Sequence, residues 1–168
     1  MLKIIQAETA AHVAYVRELF GEYLQWVGGM LQREFGFNAD IAAILEQDMR
    51  TLSKFAPPTG RLLLASDAGQ VIGLGCLRSL SAETGEIKRM YVRPPFRGRG
   101  IGRALLTELL AQAHAIGYQY IRLDSAPFLP ESHALYRSAG FREIPAYPGV
   151  EIPQEFHHNW LFMEKLLA

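Results

Sequence analysis

The sequence predicts a mixed fold of the α/β class, of the α+β type: a mostly antiparallel sheet flanked by helices, with a central parallel strand pair. Apolar runs over residues 61–66 and 71–80, separated by the turn sequence Asp-Ala-Gly-Gln, predict an antiparallel hairpin that a third run, over 86–92, continues. Helical spacing after residue 100 and a compact apolar run over 120–124 predict a strand, helix and strand unit. A right-handed crossover would make the strands of this unit parallel neighbours that can splay apart.

The composition predicts one globular domain over residues 1–168. Seventeen basic and seventeen acidic side chains give a formal net charge of +0, so neither nucleic acid nor an anionic membrane is an expected partner. The single cysteine, Cys76, cannot form an internal disulfide, and the chain shows neither a signal segment nor an apolar run long enough to span a membrane. We therefore expect a cytoplasmic protein.

Two helices are predicted between the first strand and the hairpin. Thr9 is a suitable N-cap for the first, and Gly28 and Gly29 are expected to weaken or end it. Asn38 is expected to cap the second, with Asp40 in its first turn. Towards the C-terminus we expect a short helix over 131–139, a strand over 141–144, a long loop over 146–156 and a final strand over 159–167.

A glycine-rich turn links the third strand of the meander to the next helix. Gly98, Gly100 and Gly102 alternate there, which lets the backbone approach a ligand, and a helix that begins at this turn directs unpaired N–H groups towards it. Six of the seventeen Lys and Arg residues lie between Lys88 and Arg103, with no acid among them. The turn therefore predicts a phosphate or pyrophosphate site.

Three other interpretations compete for this turn. A Walker loop requires Gly-Lys-Ser/Thr, where this chain has Gly-Arg-Ala at 102–104. A dinucleotide fingerprint requires a different glycine spacing after an apolar strand, although Asp124 lies at about the right distance for a ribose contact, so this alternative stays open. A connector without a ligand would not require the flanking arginines.

Two motifs resemble those of the GNAT superfamily of N-acetyltransferases. The first is Arg-x-x-Gly-x-Gly/Ala, present as Arg-Gly-Arg-Gly-Ile-Gly at 97–102, and the second is Ala-Leu-Tyr-x-x-x-Gly-Phe at 134–141. Their order is that of the family, and the resemblance covers residues 85–144 with flanking elements that fit. It implies a GNAT-like sheet with a splayed central strand pair and acetyl-CoA as the acyl donor.

The resemblance also implies a set of cofactor-binding residues and no metal. The pantetheine arm would pair with the third strand and the phosphates would lie on the glycine-rich turn, which together give Met90, Tyr91, Val92, Arg97, Gly98, Arg99, Gly100, Ile101, Gly102 and Arg103. Phe128 is added as an apolar contact. Many members carry an asparagine seven residues before the motif tyrosine, where this chain has Leu129.

For catalysis, the resemblance implies Tyr136 as the general acid that protonates the departing thiolate and Glu86 as a candidate base, with a structural ion pair as the alternative for Glu86. The acceptor would be a primary amine of a small molecule or peptide, acetylated directly, because nothing marks Cys76 as an acyl carrier. A non-catalytic acyl-CoA-binding sensor and an aminoacyl-tRNA acetyltransferase are alternatives. A homodimer is a candidate assembly.

The acceptor pocket is expected between the first two helices and the C-terminal loop. Aromatic and sulfur side chains of the helical region could contact the substrate or belong to the core, namely Trp26, Met30, Phe35 and Phe37. Loop residues that could shape the same pocket are Tyr147, Glu151, Glu155, His157 and His158.

Overall fold

The computed structural model describes residues 1–167, and Ala168 lies outside this range. The strands are β1 (Lys3–Gln6), β2 (Arg61–Asp67), β3 (Gln70–Ser79), β4 (Thr84–Val92), β5 (Tyr120–Ser125), β6 (Arg142–Glu143) and β7 (Leu161–Leu166). The helices are α1 (Ala10–Phe35), α2 (Ile41–Arg50), α3 (Ile101–Ile116) and α4 (Pro130–Ser138). Short 3-10 turns cover Leu52–Phe55, Pro94–Phe96 and Gln154–Phe156.

The strands form one seven-stranded sheet in the order β1-β2-β3-β4-β5-β7-β6. β4 and β5 are parallel, and the other neighbours are antiparallel. The parallel ladder runs from the Thr84–Tyr120 pair to the Glu86–Arg122 pair and then stops, although both strands continue. The predicted α+β fold with a splayed central pair is therefore confirmed. Beyond Glu86 and Arg122 a gap separates β4 from β5 in the middle of the sheet.

A bulge in β4 lies at this gap. Leu74 pairs with Tyr91 and Cys76 pairs with Lys88, so two residues of β4, Arg89 and Met90, stand opposite Gly75 alone. Arg89 has a φ of 54°, which is uncommon for a residue with a side chain. A Cβ on Gly75 would lie 2.8 Å from the Met90 sulfur, so a glycine is needed where Met90 approaches β3.

Each face of the sheet carries its own core, because side chains along β2 alternate between the two faces. Leu63 and Ala65 pack towards α3, where Leu105 and Leu109 are fully buried. Leu62 and Leu64 belong to the cluster formed with α1, which includes Val16, Phe20 and Leu74. No helix of the described residues has the length and apolar character needed to cross a bilayer.

The helix ends differ from the predictions in two places: α1 is longer than expected, and α2 has a different N-cap. Thr9 caps α1 as expected, but the helix continues through Gly28 and Gly29 and ends at Gly36, which has a φ of 65°. A Cβ on Gly28 would lie 2.7 Å from Ile41 Cδ1, so the glycine allows α2 to pack closely against α1. The assignment of Asn38 as the second cap was wrong: Asp40 caps α2, accepting a 3.0 Å hydrogen bond from the Ala43 N–H.

Candidate active site

Two cavities meet where β4 and β5 separate. One, of about 500 Å³, runs along the end of β4 and the glycine-rich turn, and we call it the cofactor cleft. The other, of about 540 Å³, lies between α1, α2 and the loop before β7, and we call it the acceptor cavity. Four residues line both cavities, Met90, Leu129, Ser132 and Tyr136. Two ligands, one in each cavity, would meet at these side chains.

The cofactor cleft brings together most of the residues that the sequence motifs indicated. Lining residues from that set are Met90, Tyr91, Val92, Arg97, Gly98, Gly100, Ile101, Gly102 and Arg103. Arg99 and Phe128 do not line the cleft: the Arg99 guanidinium lies 5.3 Å from the Phe96 ring centre, and the Phe128 ring packs against Phe35 and Trp160. Leu129 lines the cleft where an asparagine was expected from the resemblance.

The glycine-rich turn has the backbone geometry of an anion site. Gly98 and Gly100 have φ values of 76° and 77°, and Gly100 is the N-cap of α3. Nothing lies within 4 Å of a Cβ built on either residue, so the left-handed backbone, rather than lack of space, favours glycine here. Because a glycine cap brings no side-chain acceptor, the first N–H groups of α3 remain available to phosphate oxygens.

Arg97 is held over this cleft by two aromatic rings and a backbone carbonyl. Its Nε donates a 2.8 Å hydrogen bond to the Val92 carbonyl, and its guanidinium lies 4.3 Å from the Trp26 ring centre and 5.5 Å from that of Tyr91. Trp26 therefore lines the cofactor cleft rather than the acceptor cavity. These contacts hold the Arg97 guanidinium beside the glycine-rich turn.

Tyr136 lies between the two cavities on α4. It is 7% exposed, and its ring packs edge-on against Phe141 at 5.9 Å between centres. Burial, followed by the negative potential of Tyr23 and Asp124, raises the pKa of the Tyr136 phenol well above its usual value. The hydroxyl is therefore protonated at neutral pH, as a proton donor to a leaving group must be.

Glu86 is fully buried in β4 and is surrounded by donors. One carboxylate oxygen accepts a 2.8 Å hydrogen bond from Arg78 Nε, and the other accepts a 2.7 Å bond from the Tyr147 hydroxyl. Lys88 Nζ lies 3.5 Å away. Glu86 and Tyr147 are not among the residues that line either cavity. The geometry thus gives Glu86 strong structural contacts and no direct opening towards a substrate.

The acceptor cavity contains a network of ionised side chains that the sequence analysis did not assemble. Lys88 Nζ lies 3.3 Å from Glu151 and 3.6 Å from Asp124 across the strand gap. Burial alone would lower the pKa of Lys88, but the facing carboxylates outweigh it and raise that pKa. Burial would likewise raise the pKa of Glu151, which is instead lowered to about 2 by the charges of Lys88, Lys54 and Arg78.

A second ion pair joins α2 to the β4 bulge. Arg89 Nε and one terminal nitrogen donate to the two oxygens of Asp48, at 3.0 and 3.1 Å. Asp48 is buried although it lies on a surface helix. An aspartate at a position on the apolar face of α2 is unusual, and this sequence signal could have identified Asp48 as a buried, paired residue. The pair fixes the unusual backbone of Arg89 at the junction of the two cavities.

Apolar side chains also line the acceptor cavity. Phe37, Ile44, Phe156 and Trp160 line it, and the rings of Phe37 and Phe156 meet edge-to-face at 5.1 Å. Met30 and Phe35 do not line either cavity. Among the loop residues singled out from the sequence, Glu151 lines the acceptor cavity, whereas Tyr147, Glu155, His157 and His158 do not.

The chain is similar in sequence to known proteins. The model of the acetyltransferase (GNAT) family matches residues 16–141. An IAA acetyltransferase of Azospirillum brasilense is 37% identical over 121 residues, covering 71% of this chain and 74% of that protein. An uncharacterized N-acetyltransferase of Schizosaccharomyces pombe is 31% identical over 137 residues, covering 80% of this chain and 79% of its own length.

A solved structure shares the fold. It is that of yncA from Salmonella typhimurium with its cofactor acetyl-CoA, with a TM-score of 0.69, 21% identity, and coverage of 100% of this chain and 95% of that one. The family match spans most of the present chain and includes both the glycine-rich turn and the tyrosine motif. The chain therefore belongs to the GNAT family of acetyltransferases.

Proposed function

We propose that the protein is an N-acetyltransferase that uses acetyl-CoA as its acyl donor and acetylates a primary amine of a small molecule or peptide by direct transfer. The observation that carries the proposal is that the cofactor cleft and the acceptor cavity meet at Tyr136. Family membership supports acetyl transfer. The acetyl-CoA in the similar Salmonella structure supports the donor.

The proposed chemistry requires a neutral amine, hydrogen-bond donors that polarise the thioester carbonyl, and a proton donor for the departing thiolate. The neutral amine nitrogen attacks the thioester carbonyl carbon, the C–N bond forms as the C–S bond breaks, and the thiolate takes a proton from the Tyr136 hydroxyl. The nitrogen gives its extra proton to solvent, and solvent returns a proton to Tyr136. Backbone N–H groups of the β4 bulge, near Met90, are suited to polarise the carbonyl oxygen because the bulge interrupts their ladder with β3. The phosphates of the donor would lie on the turn at Gly98 to Gly102.

An amine that enters the cavity as an ammonium ion must also lose a proton to a base before it attacks. Glu86 remains a prediction for this role, and its burial among Arg78, Tyr147 and Lys88 supports the structural alternative equally well. A carboxylate that lines the acceptor cavity could take the ammonium proton directly, without a bridging water. Direct transfer is supported by Cys76, whose thiol is fully buried and whose pKa burial raises.

Thiol release from acetyl-CoA in the presence of an amine tests the proposal. Tyr136→Phe should lower kcat by about a hundredfold or more, the usual contribution of a general acid, with little change in the KM for acetyl-CoA. Tyr120→Phe is the matched control, because Tyr120 is half-buried in β5 and lines neither cavity. Saturable acetyl-CoA binding without turnover on any amine would instead favour the acyl-CoA-binding sensor.

Two further expectations belong to this proposal. A cytoplasmic location follows from the composition of the chain and is tested by cell fractionation. Homodimerisation is expected from the resemblance alone, and sedimentation at two protein concentrations tests it.

A further inference from the structure

Most charged side chains of the acceptor cavity pair with one another beside the strand gap, and we call this cluster its polar end. Lys88, Arg89, Asp124 and Glu151 come from the strand gap and the loop beside it. The rest of the lining, from α1, α2 and the loop before β7, is largely apolar and includes Leu31, Phe37, Ile44, Ile152 and Phe156. Asp40 and Gln47 also reach this cavity, but both are exposed at its rim, where Asp40 caps α2. The cavity therefore has a polar end beside Tyr136 and an apolar body.

Most charges at the polar end already have close partners. Both oxygens of Asp48 accept hydrogen bonds from Arg89. Glu151 contacts three cations at 3.2 to 3.4 Å, namely Lys54, Arg78 and Lys88. The two cations that line the cavity, Lys88 and Arg89, are thus each matched by carboxylates. A substrate carboxylate would have to displace one of these protein carboxylates to gain a partner.

Asp124 is the least tightly paired of these charges. Its Oδ1 accepts a 3.1 Å hydrogen bond from the Trp160 ring N–H, but its Oδ2 accepts none from the described residues, and the nearest cation, Lys88 Nζ, lies 3.6 Å away. The side chain is 11% exposed and lines the acceptor cavity with Tyr136. An ammonium group placed here would gain a charge-assisted hydrogen bond without breaking an existing one.

We infer that the acceptor is a hydrophobic primary monoamine, whose ammonium binds Asp124 and whose uncharged alkyl or aryl body lies against the apolar wall formed by α1, α2 and the loop. This inference rests on the proposed function, because it assigns the acceptor of that reaction. A second charge placed against Phe37, Ile44 or Phe156 would lose its hydration among apolar side chains, which is costly, whereas Asp40 stands in solvent at the rim. The cavity thus selects for one charge and against two.

Three amines with the same six-carbon chain test the inference: hexylamine, 1,6-diaminohexane and 6-aminohexanoate. Each is assayed by thiol release and, independently, by calorimetric binding to protein saturated with coenzyme A. We expect hexylamine to exceed each charged analogue at least tenfold in kcat/KM and in affinity. Equal or better values for either charged analogue would overturn the inference.

Variants at the two ends of the cavity make the test sharper. Asp124→Asn should weaken hexylamine binding at least tenfold while acetyl-CoA affinity stays within twofold, because Asp124 does not line the cofactor cleft. Ile44→Glu places a carboxylate on the half-buried apolar wall and should raise the preference for diaminohexane over hexylamine at least tenfold. Ile44→Gln, the neutral control, should leave that preference unchanged, and an equal shift in both Ile44 variants would contradict the charge argument.

The two readouts separate failure of this inference from failure of the proposed function. Selective hexylamine binding to the coenzyme A complex without acetyl transfer would refute the enzyme assignment and retain the ligand class. Acetyl transfer that favours a charged analogue would retain the enzyme assignment and refute the ligand class.

Discussion

Replacing Glu86 by glutamine tests whether this carboxylate stabilises the fold or acts as the catalytic base. The residue is 0% exposed and faces Arg78 Nε at 2.8 Å and the Tyr147 hydroxyl at 2.7 Å. The amide keeps the shape of the side chain but removes the charge that Arg78 and Lys88 face. Losing one partner of a buried ion pair costs about 3 to 5 kcal/mol, and a retained amide hydrogen bond places the expected cost near the lower end, about 3 kcal/mol.

Thermal and urea unfolding measure this cost. For a chain of 168 residues, about 3 kcal/mol corresponds to a fall in Tm of about 6 to 12 °C. Glu83→Gln is the matched control: Glu83 is exposed just before β4, so its change should stay within about 0.5 kcal/mol. Tyr147→Phe should cost about 2 kcal/mol by itself and less in the Glu86→Gln background.

The contrary outcome is equally specific. If Glu86→Gln unfolded at the wild-type temperature yet lost turnover by more than a hundredfold, Glu86 would be the base, and the structural account of its contacts would be refuted.

Three further predictions follow from the site. Arg97→Ala should raise the KM for acetyl-CoA about tenfold through loss of one charge-assisted phosphate contact of about 1.5 kcal/mol, whereas Arg142→Ala, at an exposed edge strand, should not. The pKa of Glu151 is lowered to about 2 in the folded protein from an unfolded value of about 4.3, so its ionised form stabilises the fold above about pH 4.5. This stabilisation is lost as the pH falls towards 2. Glu151→Gln should therefore flatten the dependence of the free energy of unfolding on pH in that range, as measured by urea unfolding. Cys76 should react with a chromogenic disulfide reagent only on unfolding, and Cys76→Ala should retain turnover; loss of turnover in a folded variant would argue for an acyl-enzyme.

Local patterns predicted the parts of the fold that depend on neighbours in sequence. The glycine-rich turn and the tyrosine motif lie in continuous segments, so the resemblance they carry named most of the predicted residues that line the cofactor cleft. Arg99 and Phe128 show the limit of this reasoning: both are adjacent to cleft residues in sequence, but their side chains pack on Phe96, and on Phe35 and Trp160, respectively.

The acceptor cavity was harder to predict because its charges come from distant segments. Asp48 meets Arg89 over a separation of 41 residues, and Lys88 meets Asp124 and Glu151 across a strand gap and a loop. No single-sequence pattern reports such pairs. The capping of α2 by Asp40 rather than Asn38 reflects the same limit at short range, since both residues are good caps and the packing of α2 on α1 selects between them.

The two tryptophans of the chain give each cavity its own optical reporter. Trp26 lies against the Arg97 guanidinium in the cofactor cleft, and Trp160 lines the acceptor cavity with its indole N–H on Asp124. A donor bound at Arg97 changes the charge beside one indole, and an amine bound at Asp124 changes the charge beside the other. With Trp160→Phe and Trp26→Phe, intrinsic fluorescence can therefore follow the filling of each cavity separately and reveal the order in which the two substrates bind.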